Sequence, residues 1–128
     1  MNYFKQTTLL LFFFSITLSA QQKNIFHNRD FWKTNPTIKT IDKKIAEGNS
    51  VSELNNNAFD GVVYAILEKT GNETIKYLLS KKGNDVNKRT HDARTYIFWA
   101  SYSNNLKLMK YLVSKGAKTD LIDSHGNT

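Results

Sequence analysis

The stretch Ile75-Lys76-Tyr77-Leu78-Leu79-Ser80-Lys81-Lys82-Gly83 returns as Met109-Lys110-Tyr111-Leu112-Val113-Ser114-Lys115-Gly116, and the two closing glycines lie 33 residues apart. A second echo links Thr95 to Thr128, where Thr128 ends Asp123-Ser124-His125-Gly126-Asn127-Thr128. Self-similarity at a fixed period of about 20–50 residues marks a stacked repeat architecture, and it constrains the fold more than any single residue. One such unit cannot bury its apolar face alone, so its neighbours must cover it.

Helical spacing fills in the units. Asn28-Arg29-Asp30 caps a short helix carrying Phe31 and Trp32. Pro36 reads as the first residue of the next helix, with Asn35 as its N-cap. Ile38, Ile41, Ile45 and Ala46 then form one apolar face, and Gly48 ends the helix. The second unit opens near Asn57, runs through Val62, Val63, Ala65, Ile66 and Leu67, and breaks at Gly71. Asn72 is the expected N-cap of a helix that buries Ile75, Leu78 and Leu79. The third unit places Ile97, Phe98 and Ala100 on its first helix, with Phe98 in the core and Trp99 between units, facing Ala65. A turn at Ser103-Asn104-Asn105 leads into Leu106, Leu108, Met109, Leu112 and Val113, and Gly116 stops the second helix.

A unit of about 33 residues, built from a turn, two antiparallel helices and a glycine-capped outward loop, resembles the ankyrin repeat. Asp123, Gly126 and Thr128 match the family's opening pattern. Thr95, Ile97 and Ala100 match its T-P-L-H-x-A run. Leu78-Leu79-Ser80-Lys81-Lys82-Gly83-Asn84-Asp85-Val86-Asn87 matches its closing pattern with one extra lysine, and Leu112-Val113-Ser114-Lys115-Gly116-Ala117 matches it again. Val62 and Tyr96 stand in the proline place, Tyr64 and Phe98 in the histidine place, and Gly61 in the threonine place. The polar threonine–histidine links between repeats are therefore expected to be weakened, with aromatic packing in their stead. The resemblance implies an all-α solenoid with outward loops and β-turns. Its expected parts are a signal peptide at 1–20, a loose segment at 21–29, a degenerate capping repeat at 30–56, repeats at 57–89 and 90–122, and the start of a truncated repeat at 123–128. Ending there leaves the last full unit uncovered. The chain is accordingly expected to be a fragment or the product of an interrupted gene, marginally stable and inclined to self-associate.

The signal peptide is read from the residues themselves. Lys5 precedes the apolar run Leu9 to Leu18, and Ser19-Ala20-Gln21-Gln22 follows. That order matches a secretory leader, with cleavage expected after Ala20. The run is too short to span about 30 Å of hydrocarbon comfortably. With no cysteine anywhere, a lipid anchor at the cleavage site, a disulfide framework and a thiolate nucleophile are excluded. The mature chain is expected in a periplasm or outside the cell, without a stable membrane anchor. Net charge is +7, and +6 without Lys5. The lysines are spaced around helices rather than run together, so a solvated face is expected and no nucleic-acid role.

Nothing in the sequence assembles catalysis. Asp123, Ser124 and His125 hold the residue types of a hydrolase triad, but three adjacent residues on one loop cannot adopt its geometry. Glu47, Glu53, Glu68 and Glu73 are dispersed, and no glycine-rich phosphate loop is present. No cofactor and no metal is expected. An alternative is a metal-handling role for His91 and His125, which occupy neighbouring loop tips beside Asp92 and Asp123. By resemblance, the partner-binding positions line the loop tips and the ends of the first helices. Carried over, they are Asn57, Ala58, Asp60, Glu68 and Lys69; Arg89, His91, Asp92, Arg94, Tyr102 and Ser103; and Ile122, Ser124, His125 and Asn127. The implied function is an exported, non-catalytic module that binds a protein partner. An accessory or immunity-like protein for an exported enzyme is the alternative partner class, and a catalytic domain beyond Thr128 is a third possibility.

Overall fold

The computed structural model describes residues 23–128, so the expected leader and its cleavage site lie outside the described residues. A 3-10 turn at Ile25–His27 leads into α1 (Arg29–Lys33) and α2 (Ile38–Ala46). Next come α3 (Gly61–Leu67) and α4 (Asn72–Leu79). A second 3-10 turn at His91–Ala93 precedes α5 (Tyr96–Tyr102) and α6 (Leu106–Ser114). No strand occurs among the described residues. The helices form three hairpins, α1/α2, α3/α4 and α5/α6, stacked in chain order. The second helices begin at residues 38, 72 and 106, an even 34-residue step.

Each hairpin buries only part of the face its spacing predicts, since Ile38, Ala46, Leu106 and Val113 are exposed. Ile41, Ile75, Leu78, Leu108 and Leu112 are fully buried on the second helices, and Val62, Val63, Ala65, Ile66 and Ala100 on the first. Two second helices end on a left-handed glycine, α2 on Gly48 at φ 95° and α6 on Gly116 at 92°. α4 stops at Leu79, so the expected stop at Gly83 is corrected, and that glycine (φ 90°) lies in the separate turn that follows. Gly61 serves a different purpose. A Cβ there would stand 3.1 Å from Phe26 Cβ and 3.2 Å from the Val51 carbonyl, so its absence lets the first hairpin close onto α3.

Several expectations are corrected. The segment at residues 23–29 is not loose. Phe26 is fully buried beside Trp32, whose Nε1 donates to the Phe26 carbonyl at 2.9 Å. The Asn24 amide donates to the Ser50 carbonyl and the Ile25 N–H to Asn49 Oδ1. Thr37, not Asn35, caps α2; Asn35 sits at φ 50° and accepts from the Gly71 N–H. Gly71 holds the N-cap place of α4, and Asn72 lies inside the helix, exchanging amide hydrogen bonds with Asn105 at 3.2 and 2.8 Å. Asp60 takes the capping place of α3 that Thr95 takes for α5, so the threonine position belongs to Asp60 and not to Gly61. Phe98 and Leu79 are half-buried, not core.

Candidate functional site

Three five-residue tips project from one side of the stack, each closed by the same backbone bond. Asn55 N–H donates to the Phe59 carbonyl at 2.8 Å, Thr90 N–H to that of Arg94 at 2.9 Å, and Asp123 N–H to that of Asn127 at 2.9 Å. The leading side chain secures each turn. Asn55 Oδ1 accepts from the Asn57 and Phe59 N–H groups. The Thr90 hydroxyl donates to the Arg94 carbonyl. Asp123 Oδ1 accepts from the His125 and Asn127 N–H groups at 2.9 Å. The Asn127 backbone N–H above all, then His125 N–H, the Asn127 amide and Arg94, hold the Asp123 carboxyl well below the usual range, against the opposing pull of desolvation.

Neighbouring tips are tied to each other. His91 Nδ1 donates to the Asn57 carbonyl at 2.8 Å, and Ser124 N–H donates to that of Asp92 at 2.8 Å. Arg89 Nη1 spans Ala93 and Ile122 carbonyls at 2.6 and 2.8 Å. Arg94 Nε donates to Asp123 Oδ2 at 3.0 Å, and its guanidinium lies 5.5 Å from the Trp99 ring centre. Five aromatic rings form a continuous row under these tips. Tyr64 stacks on Phe59 at 5.3 Å, Phe59 on His91 at 4.4 Å, Phe59 approaches Trp99 at 5.6 Å, and Trp99 meets Tyr102 edge-on at 6.3 Å. The row crosses from the second hairpin to the third and ends on Tyr102, which is 78% exposed.

The expected contact residues divide into two groups. Lys69, Tyr102, Ile122, Ser124 and His125 are exposed; Arg89 is exposed but holds two carbonyls; His91, Asp92, Arg94 and Ser103 are half-buried. Glu68 is largely covered and paired with Arg29. Asp60 is fully buried and presents nothing to a partner. Its Oδ1 accepts from Val63 N–H at 2.9 Å, and its Oδ2 from Lys88 Nζ and the Tyr96 hydroxyl, each at 2.7 Å. Trp99 packs against Phe59 and donates from Nε1 to Thr90 Oγ1 at 2.8 Å. Phe59 and Tyr64 were absent from the expected set. Phe59's place as the last tip residue, just before a capping position, is the signal that singles it out.

His91 and His125 do converge. Their Nε2 atoms lie 3.5 and 3.2 Å from Asp92 Oδ2. The Arg94 guanidinium stands 3.5 Å from the same oxygen. A cation already holds that carboxylate, and among the described residues no group of three or more His, Cys, Asp or Glu is arranged for a metal ion. The imidazoles therefore stand as tip residues around an ion pair. Beyond Tyr102, a cavity of about 510 Å³ opens between α5, α6 and the last tip, lined by Trp99, Met109, Lys118 and Asn127 among others.

A family model described as ankyrin repeats (3 copies) matches residues 37–128. No curated protein matches the chain.

Proposed function

The chain belongs to the ankyrin-repeat family, whose repeats are generally protein–protein interaction modules, and from that premise we propose that it is a non-catalytic binder of a protein partner, gripping it with its tips and first-helix ends. The row of rings from Tyr64 to Tyr102 carries the reading. Aromatic side chains that are already stacked present contact area with little rotamer freedom left to lose, which favours them as anchors in protein interfaces. Tyr102 is the exposed anchor, Lys69, Ser103, His91 and His125 are polar contacts around it, and Ile122 and Ser124 extend the surface along the last tip. Asp92, Arg94 and Arg89 shape the tips from within.

A photo-crosslinking residue at position 102 tests this against the same residue at position 43 on α2. The expected result is one protein trapped from position 102 only, whose purified form binds the wild-type chain and loses about 30-fold affinity on Tyr102→Ala, the loss typical of an anchor side chain. Trapping from position 43 alone, or undiminished binding by Tyr102→Ala, overturns the proposal.

Export is part of the same reading. It is supported by Lys5, the apolar run to Leu18 and Ser19-Ala20. Amino-terminal sequencing of the cellular product should give Gln21 first; a product that retains the leader refutes cleavage.

A further inference from the structure

The charge of this chain is divided between the two sides of the stack. Residues 38–47, 72–82 and 106–118 comprise the second helices and the turns that end them. They hold ten lysines, three acids (Asp42, Glu47 and Glu73) and no arginine. The rest of the described chain holds seven bases, including all three arginines, against eight acids. Nearly all of the net charge therefore sits on the second helices and their closing turns, with Lys118 alone turned to the cavity beside the last tip. The second helices lie edge to edge: Tyr77 on α4 donates to Asp42 on α2, and Lys76 Nζ lies 5.1 Å from the ring centre of Tyr111 on α6. Neighbouring packed helices are about 8–10 Å apart, so the three rows make a basic strip roughly 20 Å wide.

We propose that this side rests on an anionic lipid bilayer. Three observations select that occupant. All ten cations are lysines, which are compact point charges on flexible stems. Individual phosphodiesters and carboxylates are gripped best by the rigid guanidinium fork, which the strip lacks. Seven of the ten, Lys107 and Lys110 among them, are exposed and spread over three neighbouring helices and their closing turns, not gathered in one cleft. Aliphatic side chains stand among them: Ile38 is 39% exposed, Leu106 59% and Val113 51%. Charge with interleaved aliphatic groups suits the headgroup boundary, where apolar groups enter shallowly and lysine stems reach back to the phosphates. The proposal stands apart from the partner reading, because it uses the opposite side and leaves the tips free.

Vesicle co-sedimentation of the chain from Gln21 onward, free of the apolar leader, decides it, with two double variants checked for helicity by circular dichroism. Lys107→Gln with Lys110→Gln depletes the strip. Lys23→Gln with Lys33→Gln removes the same charge from elsewhere, since both lie exposed near the amino terminus. The chain is expected on vesicles with about 30% phosphatidylglycerol, not on pure phosphatidylcholine, and released between about 50 and 500 mM salt. Each lysine near an anionic surface is worth about fivefold in partition, so the strip variant should bind about 25-fold more weakly while the control changes far less. Absence of sedimentation, equal binding to both lipids, or equal losses in both variants overturns the proposal. Binding to polyglutamate or duplex DNA without binding to vesicles overturns it too, and identifies an acidic macromolecule instead.

Discussion

Replacing Lys88 with Met should remove a large part of the stability of this protein. Lys88 Nζ donates to Asp60 Oδ2 and to the Ser52 carbonyl at 2.7 Å, and to Asn84 Oδ1 at 3.3 Å. The Tyr96 hydroxyl meets the same Asp60 oxygen at 2.7 Å and Asn84 Oδ1 at 3.2 Å. Ser52 lies in the first unit, Asp60 and Asn84 in the second and Tyr96 in the third, so the ammonium joins the first two and Asp60, with Asn84, carries the cluster on to the third. The Asp60 side chain is 0% exposed and that of Lys88 15%. Met keeps the volume of the stem and removes the charge. The Asp60 carboxylate then remains buried with only a hydroxyl and one N–H as donors. Breaking a buried pair from one side costs about 3–5 kcal/mol, a large share of the roughly 5–15 kcal/mol that holds a domain folded. Asp60→Asn strands the ammonium in turn. The double variant buries no net charge, so it should retain about 1–3 kcal/mol more than the two single losses sum to. Urea unfolding followed by circular dichroism measures all four proteins. A Lys88→Met loss below about 1 kcal/mol, or losses that simply add, would refute the claim that this charge is buried and paired.

The same cluster sets an alkaline limit. Burial, then the Asp60 charge and hydrogen bond, push the Tyr96 hydroxyl far above its ordinary value near 10. A group whose pKa is raised on folding contributes stability below its unfolded value of about 10 and loses it as pH rises past that point. The melting temperature should therefore fall above about pH 10, and less steeply in Tyr96→Phe; equal slopes would remove Tyr96 as the cause. At the acid end the sign reverses. Asp123 is depressed by the N–H groups of its own tip, so order at residues 123–127 should be full above about pH 4 and fade as pH falls below it. Protection of the His125 and Asn127 amides, taken relative to their intrinsic exchange rates, should fall on acidification in the wild type and already be low at neutral pH in Asp123→Ala. Gly83 and Gly116 share a left-handed φ near 90°, but a Cβ on Gly83 would stand 2.8 Å from Ser52 Oγ, whereas Gly116 faces open space. Gly116→Ala should cost about 1–2 kcal/mol, and Gly83→Ala measurably more; equal losses would show that Ser52 yields freely.

The repeat was legible because its markers are local. Gly48 and Gly116 close α2 and α6 where the pattern expects them, and Ile41, Ile75 and Leu112 keep their helical spacing. What failed to show depends on distant partners. Asp60 reads as an exposed tip residue, because a capping aspartate looks the same whether its second oxygen meets water or a buried lysine 28 positions away. Phe26 looks like part of a polar tail until Gly61 leaves room for it beside Trp32. The expected weakening of the threonine–histidine links is visible at Thr95, whose Oγ1 is buried without a hydrogen-bond partner while Phe98 occupies the histidine place. Trp99 illustrates the aromatic replacement: it bonds to Thr90 and packs on Phe59.

The tips separate fold from recognition within five residues each. At each first position a side chain closes the turn: Asn55, Thr90 and Asp123 all bond to their own tip's backbone. At the position after each tip, Asp60 and Thr95 begin a helix from inside the stack and are fully buried. Neither class is free to vary for a partner without loosening the frame. In the last tip the middle positions carry no such duty, unlike His91 in the tip before: the Ser124 and His125 side chains are exposed, and the bonds that fix their backbone come from Asp92 and Asp123. The same division applies at the hairpin turns. Asn35, Lys69 and Asn104 all sit at φ between 50° and 57°, two residues past the first helix. There the backbone favours asparagine or glycine, and the second unit carries a lysine instead. Lys69 is exposed there, so the strain at that turn agrees with the partner contact proposed for it.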